Sequence, residues 1–333
     1  MADSTFNRRA VLRTFAGFAA AAGSGAWAQG AAATSWPQYP VKIIVPVEAG
    51  GIIDLLARAV AKPLESKFGT PLVVESRPGA DHLIGIQYVA RSQPDGYTWL
   101  FASIPFTVNP ALRRDPGYDA LKDFKPLQLI ASSPNVLVVP SSVAARNVKE
   151  FVAFAKSQKG ALSYANPGNG SSNQLGMELF KSETGIDILD VPYKGQPPAI
   201  IDLLGGRVQA MMISTSLVTP YVASGSLRPL AVVAPERVRE MPDVPTMKES
   251  GYPGVDVIPW FGLLVPAKTP EAVVAKASGE LHAALESQAL ITDIRNIGAT
   301  PYAPNSPAEF EKLIREDTAK WPALLTRAGI EKS

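Results

Sequence analysis

The chain has 333 residues, 46% apolar and 19% charged, which is enough for a sizeable core spread over two domains or one large one. Its 30 prolines and 26 glycines are scattered, which excludes collagen-like and low-complexity readings. Cysteine is absent and the formal charge is only +2, so disulfides, thiol chemistry and thiolate metal sites are excluded.

The first segment reads as an export signal. Arg8, Arg9 and Arg13 precede the small apolar run FAGFAAAAGSGA, and Ala26-Trp27-Ala28 offers an A-x-A cleavage site. Residues 1–28 are therefore expected to be removed, and Arg8-Arg9 leaves both general and twin-arginine export open. Removal takes three of the 32 basic residues and one of the 30 acidic ones, leaving no net charge. A neutral surface argues against nucleic acid and against an anionic membrane as partner. The expected mature protein is a monomer, free in a periplasm-like space.

After the signal, strand and helix alternate. VKIIVPV (41–47) reads as a buried strand and DLLARAVAKPLESKFG as a helix ending at Gly69. PLVVES, HLIGIQYVARS and YTWLFAS follow as strand, helix and strand, and the rhythm resumes at NVLVVPS and runs to LRPLAVVA. Continuous apolar strands separated by helices predict parallel sheets covered on both faces. The last third is mostly helical. Apparent domain crossings at SSPNVLVVPSS (132–142) and VIPWFGLLVPAK (257–268) predict a discontinuous lobe, 37–134 with 262–333, and a second lobe, 135–261.

Three strand-to-helix junctions stand out. In EAGGIID a strand enters a double glycine and then a helix, so Gly50 and Gly51 let a ligand approach free N–H groups at a positive helix end. Asp54 is a first-turn acid there. NPGNGSSNQLG (166–176) nearly reads as a dinucleotide fingerprint, but Asn173 occupies the third glycine position. It still gathers small donors, Asn169, Ser171, Ser172 and Asn173, beside Gly170. Tyr193-Lys194-Gly195 falls at the same predicted sheet edge, where ligands bind in doubly wound sheets.

Catalytic equipment is sparse. His282 lies on a regular helix, and His82 beside Asp81 has no nucleophile elbow to serve. No metal-ligand spacing and no phosphate-binding lysine loop is present, so neither catalysis nor a cofactor is expected. An exported nucleotide-using α/β enzyme is the alternative, resting on GNGSSN and on His82 with Asp81.

VPVEAGGIIDLLAR, VESRPGADHLIG, PDGYTWL, VPYKGQPPAIIDLLGGRV and MPDVPTMKESG, in that order, resemble the periplasmic substrate-binding proteins of tripartite tricarboxylate transporters, the Bug family. The resemblance implies a type II periplasmic binding protein fold, with two α/β lobes closing on a small carboxylate that is passed to membrane transporter subunits. It places Gly50, Gly51 and Asp54 in the first ligand loop and Asn169 to Ser172 in the second, and the expected ligand contacts add Val47, Glu48, Ile52, Ile53, His82 and Asn173. Ile52 and Ile53 stand where such proteins carry small or hydroxyl residues, and Asp81 and His82 where they carry glycines. An apolar wall of Ile52 or Ile53 with Leu83, Phe106 and Trp260 is therefore expected, and with it an aromatic or otherwise apolar-bodied carboxylate.

Overall fold

The computed structural model describes residues 36–332, and the predicted signal and its cleavage site lie outside them. The described chain begins with β1 (Val41–Val45), α1 (Ile52–Phe68), β2 (Leu72–Ser76), α2 (Leu83–Ala90), β3 (Thr98–Ser103), α3 (Pro105–Leu112) and β4 (Phe124–Ser132). A second unit follows: β5 (Asn135–Pro140), α4 (Val148–Ser157), β6 (Ser163–Asn166), α5 (Ser172–Thr184), β7 (Leu189–Pro192), α6 (Gln196–Leu204), β8 (Met211–Ser214), α7 (Thr215–Ala223) and β9 (Leu227–Val233). The chain closes with β10 (Trp260–Pro266), α8 (Glu271–Glu286), α9 (Gln288–Asn296), β11 (Thr300–Pro301) and α10 (Pro307–Arg327).

The first lobe is built on a six-stranded sheet of order β11-β4-β10-β3-β1-β2. In the second, the β8-β5-β9 and β6-β7 sheets are joined by a parallel bridge between Tyr164 and Ala210, giving the order β7-β6-β8-β5-β9. Neither lobe is the purely parallel sheet expected from the apolar runs. β10 is antiparallel to β3 and β4, and β5 is antiparallel to β8 and β9. The cause is the crossing itself. Each of these strands enters from the other lobe at the cleft edge and so runs against neighbours that run toward that edge. Both lobes thus have the strand order of the type II two-lobed fold.

Helices cover both faces of the first sheet. On one side α1, α8 and α9 bury Leu56, Val60, Leu281 and Ile294 against Ile43, Trp99 and Leu263. On the other, α2, α3 and α10 bury Ile86, Phe106, Phe310 and Trp321 against Leu100 and Leu264. The second cluster continues into the other lobe through Leu137, Phe151 and Phe180, so α10 ties the two units on one side. α3, β4 and α7 go unannounced in the sequence pattern: prolines 105, 110 and 220 mask the helical period of α3 and α7, and Lys125, Pro126 and Gln128 interrupt the apolar run of β4.

Two strand ends make the hinge. β4 leads through Ser133 and Pro134 into β5, and Ser133 N–H donates to Pro259 O (3.4 Å) on the returning segment. Register pairs Trp260 with Ser132, and Asn135 with Ser214 and Val233. The carboxyl ends of β1 to β4 therefore face those of β6 to β8 across the hinge. Among the described residues no helix is long and apolar enough to cross a membrane.

Candidate functional site

Six helices start at these facing edges: α1, α2 and α3 in the first lobe, α5, α6 and α7 in the second. Each start carries about half a positive charge, so six fixed dipoles point their positive ends at the cleft. Two glycines mark close approaches of the lobes across it. A Cβ on Gly170 would stand 2.8 Å from Leu112 Cδ1, and one on Gly298 only 1.8 Å from Ser216 Cβ.

The first loop answers why two glycines follow β1. Gly50 has φ +87°, a left-handed conformation that suits glycine, and nothing lies within 4 Å of where its side chain would be. Gly51 caps α1 with extended backbone. Asp54 turns out to be the clasp of this loop. Buried, it accepts from Gly50 N–H (3.0 Å) and from Arg58 Nε (3.0 Å), and its other oxygen pairs with Arg58 Nη2 (3.0 Å). Its carboxylate is thus engaged within the helix start, and Gly50's N–H with it. Val47 and Ile52 are half-buried and Glu48 is exposed.

Most of the expected apolar wall belongs to the cores instead. Ile53 is buried beneath β1, and Leu83 lies in the cluster with Ile86. Phe106 is 1% exposed, stacked on Tyr118 (5.7 Å) and edge-on to Phe124 (5.0 Å). Trp260 donates from Nε1 to Asp317 Oδ2 (2.6 Å) and packs edge-on to Phe310 (5.3 Å). Neither ring is left to line the cleft, because each has a complete set of core neighbours. Of the expected wall, Ile52 alone keeps a partly exposed side chain.

The second loop is less rich in free donors than its composition suggests. Gly168 N–H donates to Asn166 Oδ1, Gly170 N–H to Gln174 Oε1 and Ser171 N–H to Gly168 O. Asn169 Oδ1 accepts from Asn166 and Gln174, and Asp190 Oδ2 accepts from the same two residues. Asn173 is buried and donates to Asn135 Oδ1 (3.1 Å) and Met212 O (2.9 Å). These bonds occupy the N–H groups and small donors of GNGSSN on which the nucleotide reading rests. The serines differ. Ser171 Oγ accepts from Gln174 N–H and Ser172 Oγ from Asn135 Nδ2, which orients both hydroxyls while leaving their O–H groups without an acceptor among the described residues.

At the start of α2 the residues Gly79, Ala80, Asp81 and His82 all have positive φ, from +47° to +120°. Asn109 Nδ2 donates to Asp81 O (2.8 Å), and Arg113 pairs with the Asp81 carboxylate. These contacts hold a backbone that three non-glycine residues adopt only at a cost. Burial pushes the His82 imidazole down to about 4, so it is neutral at pH 7. Tyr193 and Gly195 are stitched to the second loop through Asn166 O and Pro167 O. No group of three or more histidine or acidic residues able to hold a metal occurs among the described residues.

Sequence reasoning named no role for Ser103, for Ser216, or for Ser133 within the crossing SSPNVLVVPSS. They lie at strand or helix ends, and their buried hydroxyls, like that of Ser76 at the end of β2, have no partner among the described residues.

Two mixed sheets of this order, hinged by crossing strands and presenting helix starts to one cleft, define a two-lobed solute-binding protein. The chain belongs to the family described as the tripartite tricarboxylate transporter family receptor, whose profile matches residues 56–330. It is 34% identical over 299 residues to BugT of Bordetella pertussis, covering 89% of this chain and 91% of BugT. Among solved structures it is similar to Rpa4515 of R. palustris with adipate (TM-score 0.84, 33% identity, 90% of this chain and all of that one). It is similar also to MatC of Rhodopseudomonas palustris with bound malate (TM-score 0.80, 29% identity, 87% and 100%). Receptors of this family are periplasmic, bind small carboxylates and work with a transporter.

Proposed function

We propose that this chain captures a small carboxylate with an apolar body in the interlobe cleft and delivers it, chemically unchanged, to membrane subunits of a tripartite transporter. The observation that carries the reading is the convergence of six helix starts with the oriented O–H groups of Ser171 and Ser172. Such a site stabilises a carboxylate through neutral donors and fixed dipoles, with no partner base or metal required. Export to the periplasm as a monomer, with cleavage after Ala28, completes the reading. The lobes run from about 37 to 134 with the C-terminal segment, and from 135 to the second crossing, which falls just before Trp260 because that residue already pairs with Ser132.

The contacts assigned to the ligand are Val47, Glu48, Gly50, Gly51, Ile52 and His82 from the first lobe. Asn169, Gly170, Ser171 and Ser172 face them from the second. The apolar body rests on Ile52 and Val47, both partly exposed at the first loop, and on the adipate held by a relative. An aromatic body fits the same pair but has lost Phe106 and Trp260 as support. Calorimetry should rank adipate, benzoate and phthalate above malate, citrate and glutamate, and Ile52→Ser should narrow the gap. Citrate or malate first, with the order unmoved by Ile52→Ser, would discard the apolar preference. Failure of every acid to bind would discard the receptor reading.

A further inference from the structure

Asn169 is the one asparagine of the chain that a glycine follows. In such a pair the next backbone nitrogen can reach the side-chain amide carbon, because no Cβ stands in the way. The second loop supplies what that attack needs. Asn169 is exposed, and its Oδ1 accepts from Asn166 Nδ2 (3.2 Å) and Gln174 Nε2 (3.3 Å). Both bonds polarise the carbonyl and stand ready for the negative oxygen of a tetrahedral intermediate. Gly170 directly precedes Ser171, the N-cap of α5, so a nitrogen that sheds its proton there carries its negative charge at a positive helix end. One bond opposes the attack. Gly170 N–H donates to Gln174 Oε1 (2.8 Å), and the nitrogen is free only while that side chain is turned away. The glycine itself is fixed by the fold, since φ is +70° and a Cβ would stand 2.8 Å from Leu112 Cδ1.

We propose that Asn169-Gly170 is a site of spontaneous modification, at which the second loop ages to aspartate and isoaspartate and loses its hold on carboxylates. The Gly170 nitrogen gives its proton to solvent and bonds to Asn169 Cγ. The Cγ–Nδ2 bond then breaks, and ammonia leaves into water. A water molecule opens the cyclic imide at either carbonyl, so the balance is one water taken up and one ammonia released. Opening at one carbonyl gives aspartate, and at the other isoaspartate, whose main chain runs through Cβ. Asn169 Oδ1 and Asp190 Oδ2 accept from the same two side chains, Asn166 and Gln174. The new carboxylate therefore stands beside that of Asp190, competes for its donors, and turns a second negative charge on an acidic ligand. The loss of binding rests on the receptor reading above, whereas the conversion stands apart from it.

The test ages purified wild type at mildly acidic and mildly alkaline pH. Peptide mass mapping with isoaspartate-specific methylation follows every asparagine, and ion exchange separates the converted protein. Asn169 should convert ahead of all other asparagines and faster in alkali, where the nitrogen sheds its proton more readily. Asn169→Gln, which would have to close a larger ring, should keep its mass. Calorimetry with adipate, benzoate, phthalate, malate, citrate and glutamate should show the converted fraction and Asn169→Asp binding the preferred acid about tenfold or more weakly than fresh protein. An intact Asn169 after other asparagines have converted, or equal rates at both pH values, overturns the site. Unchanged affinity in the converted fraction and in Asn169→Asp overturns its effect on the loop. If fresh protein binds none of the acids, the receptor reading falls and the loss of binding with it, while the mass map still decides the conversion.

Discussion

His82 shows how one side chain sets an acid limit for this protein. Unfolded, its imidazole takes up a proton near the ordinary value of 6.5, while burial holds it to about 4 in the folded chain. Between these values the unfolded state binds the extra proton, so acid favours unfolding. The stabilising contribution is whole above about pH 6.5 and is lost as the pH falls to about 4, amounting to at most about 3 kcal/mol. His82→Asn keeps a residue tolerant of the left-handed backbone at φ +74° and removes the titration. Its melting temperature should therefore decline less than that of wild type between pH 7 and pH 4. Parallel curves for the two proteins would remove His82 from the acid response.

At the scale of elements, α10 does more than end the chain. Its Ser306–Glu309 capping box starts it, Phe310, Ile314 and Trp321 fill one side of the first lobe, and its end reaches the second. There Arg327 Nη2 donates to Gly254 O (2.9 Å), and Ser182 Oγ donates to Arg327 O (2.8 Å). Trp321 is fully buried with Nε1 on Thr107 Oγ1 (3.0 Å). Trp321→Ala should cost about 3–5 kcal/mol, read as a lower urea midpoint. The element was legible in the sequence, and so were most of the strands, because the apolar period of 3.6 or the continuous run is local information. What a segment packs against is not. Phe106 and Trp260 follow or open a strand at the cleft edge, yet the rings and the carboxylate that enclose them come from α10 or from beyond Pro116. The second loop misled for the same reason. Asn135, which holds Ser172 and Asn173, lies 37 and 38 residues away. The two loops themselves were readable, since glycines and small donors between a strand and a helix carry their geometry with them.

For the whole molecule the telling residue is Gly298. Its φ of +83° already disfavours a side chain, and a Cβ there would meet Ser216 Cβ at 1.8 Å and Ser216 Cα at 2.7 Å. Because Gly298 and Ser216 sit on opposite lobes, Gly298→Ala should hold the cleft ajar and leave each lobe's own packing intact. Small-angle scattering of wild type should show a smaller radius of gyration with saturating ligand than without. The variant should keep the larger radius and bind at least tenfold more weakly. Normal contraction in Gly298→Ala would show that this contact does not limit closure.

The hydrogen bond between Trp260 and Asp317 has an optical consequence. An indole N–H pointing at a carboxylate 2.6 Å away feels that negative charge in both ground and excited states, and here the ring stands at the first residue after the hinge. Any rotation of the lobes that lengthens or bends this bond shifts the local field along the ring. The stacked rings of Trp36 and Trp99, 6.4 Å apart in the other core cluster of the same lobe, are remote from that movement and supply a constant background. Ligand-induced movement that alters this bond is expected as an emission shift that Trp260→Phe abolishes, read over the emission of Trp36, Trp99 and the buried Trp321. An unchanged spectrum at saturation would show that the bond stays fixed.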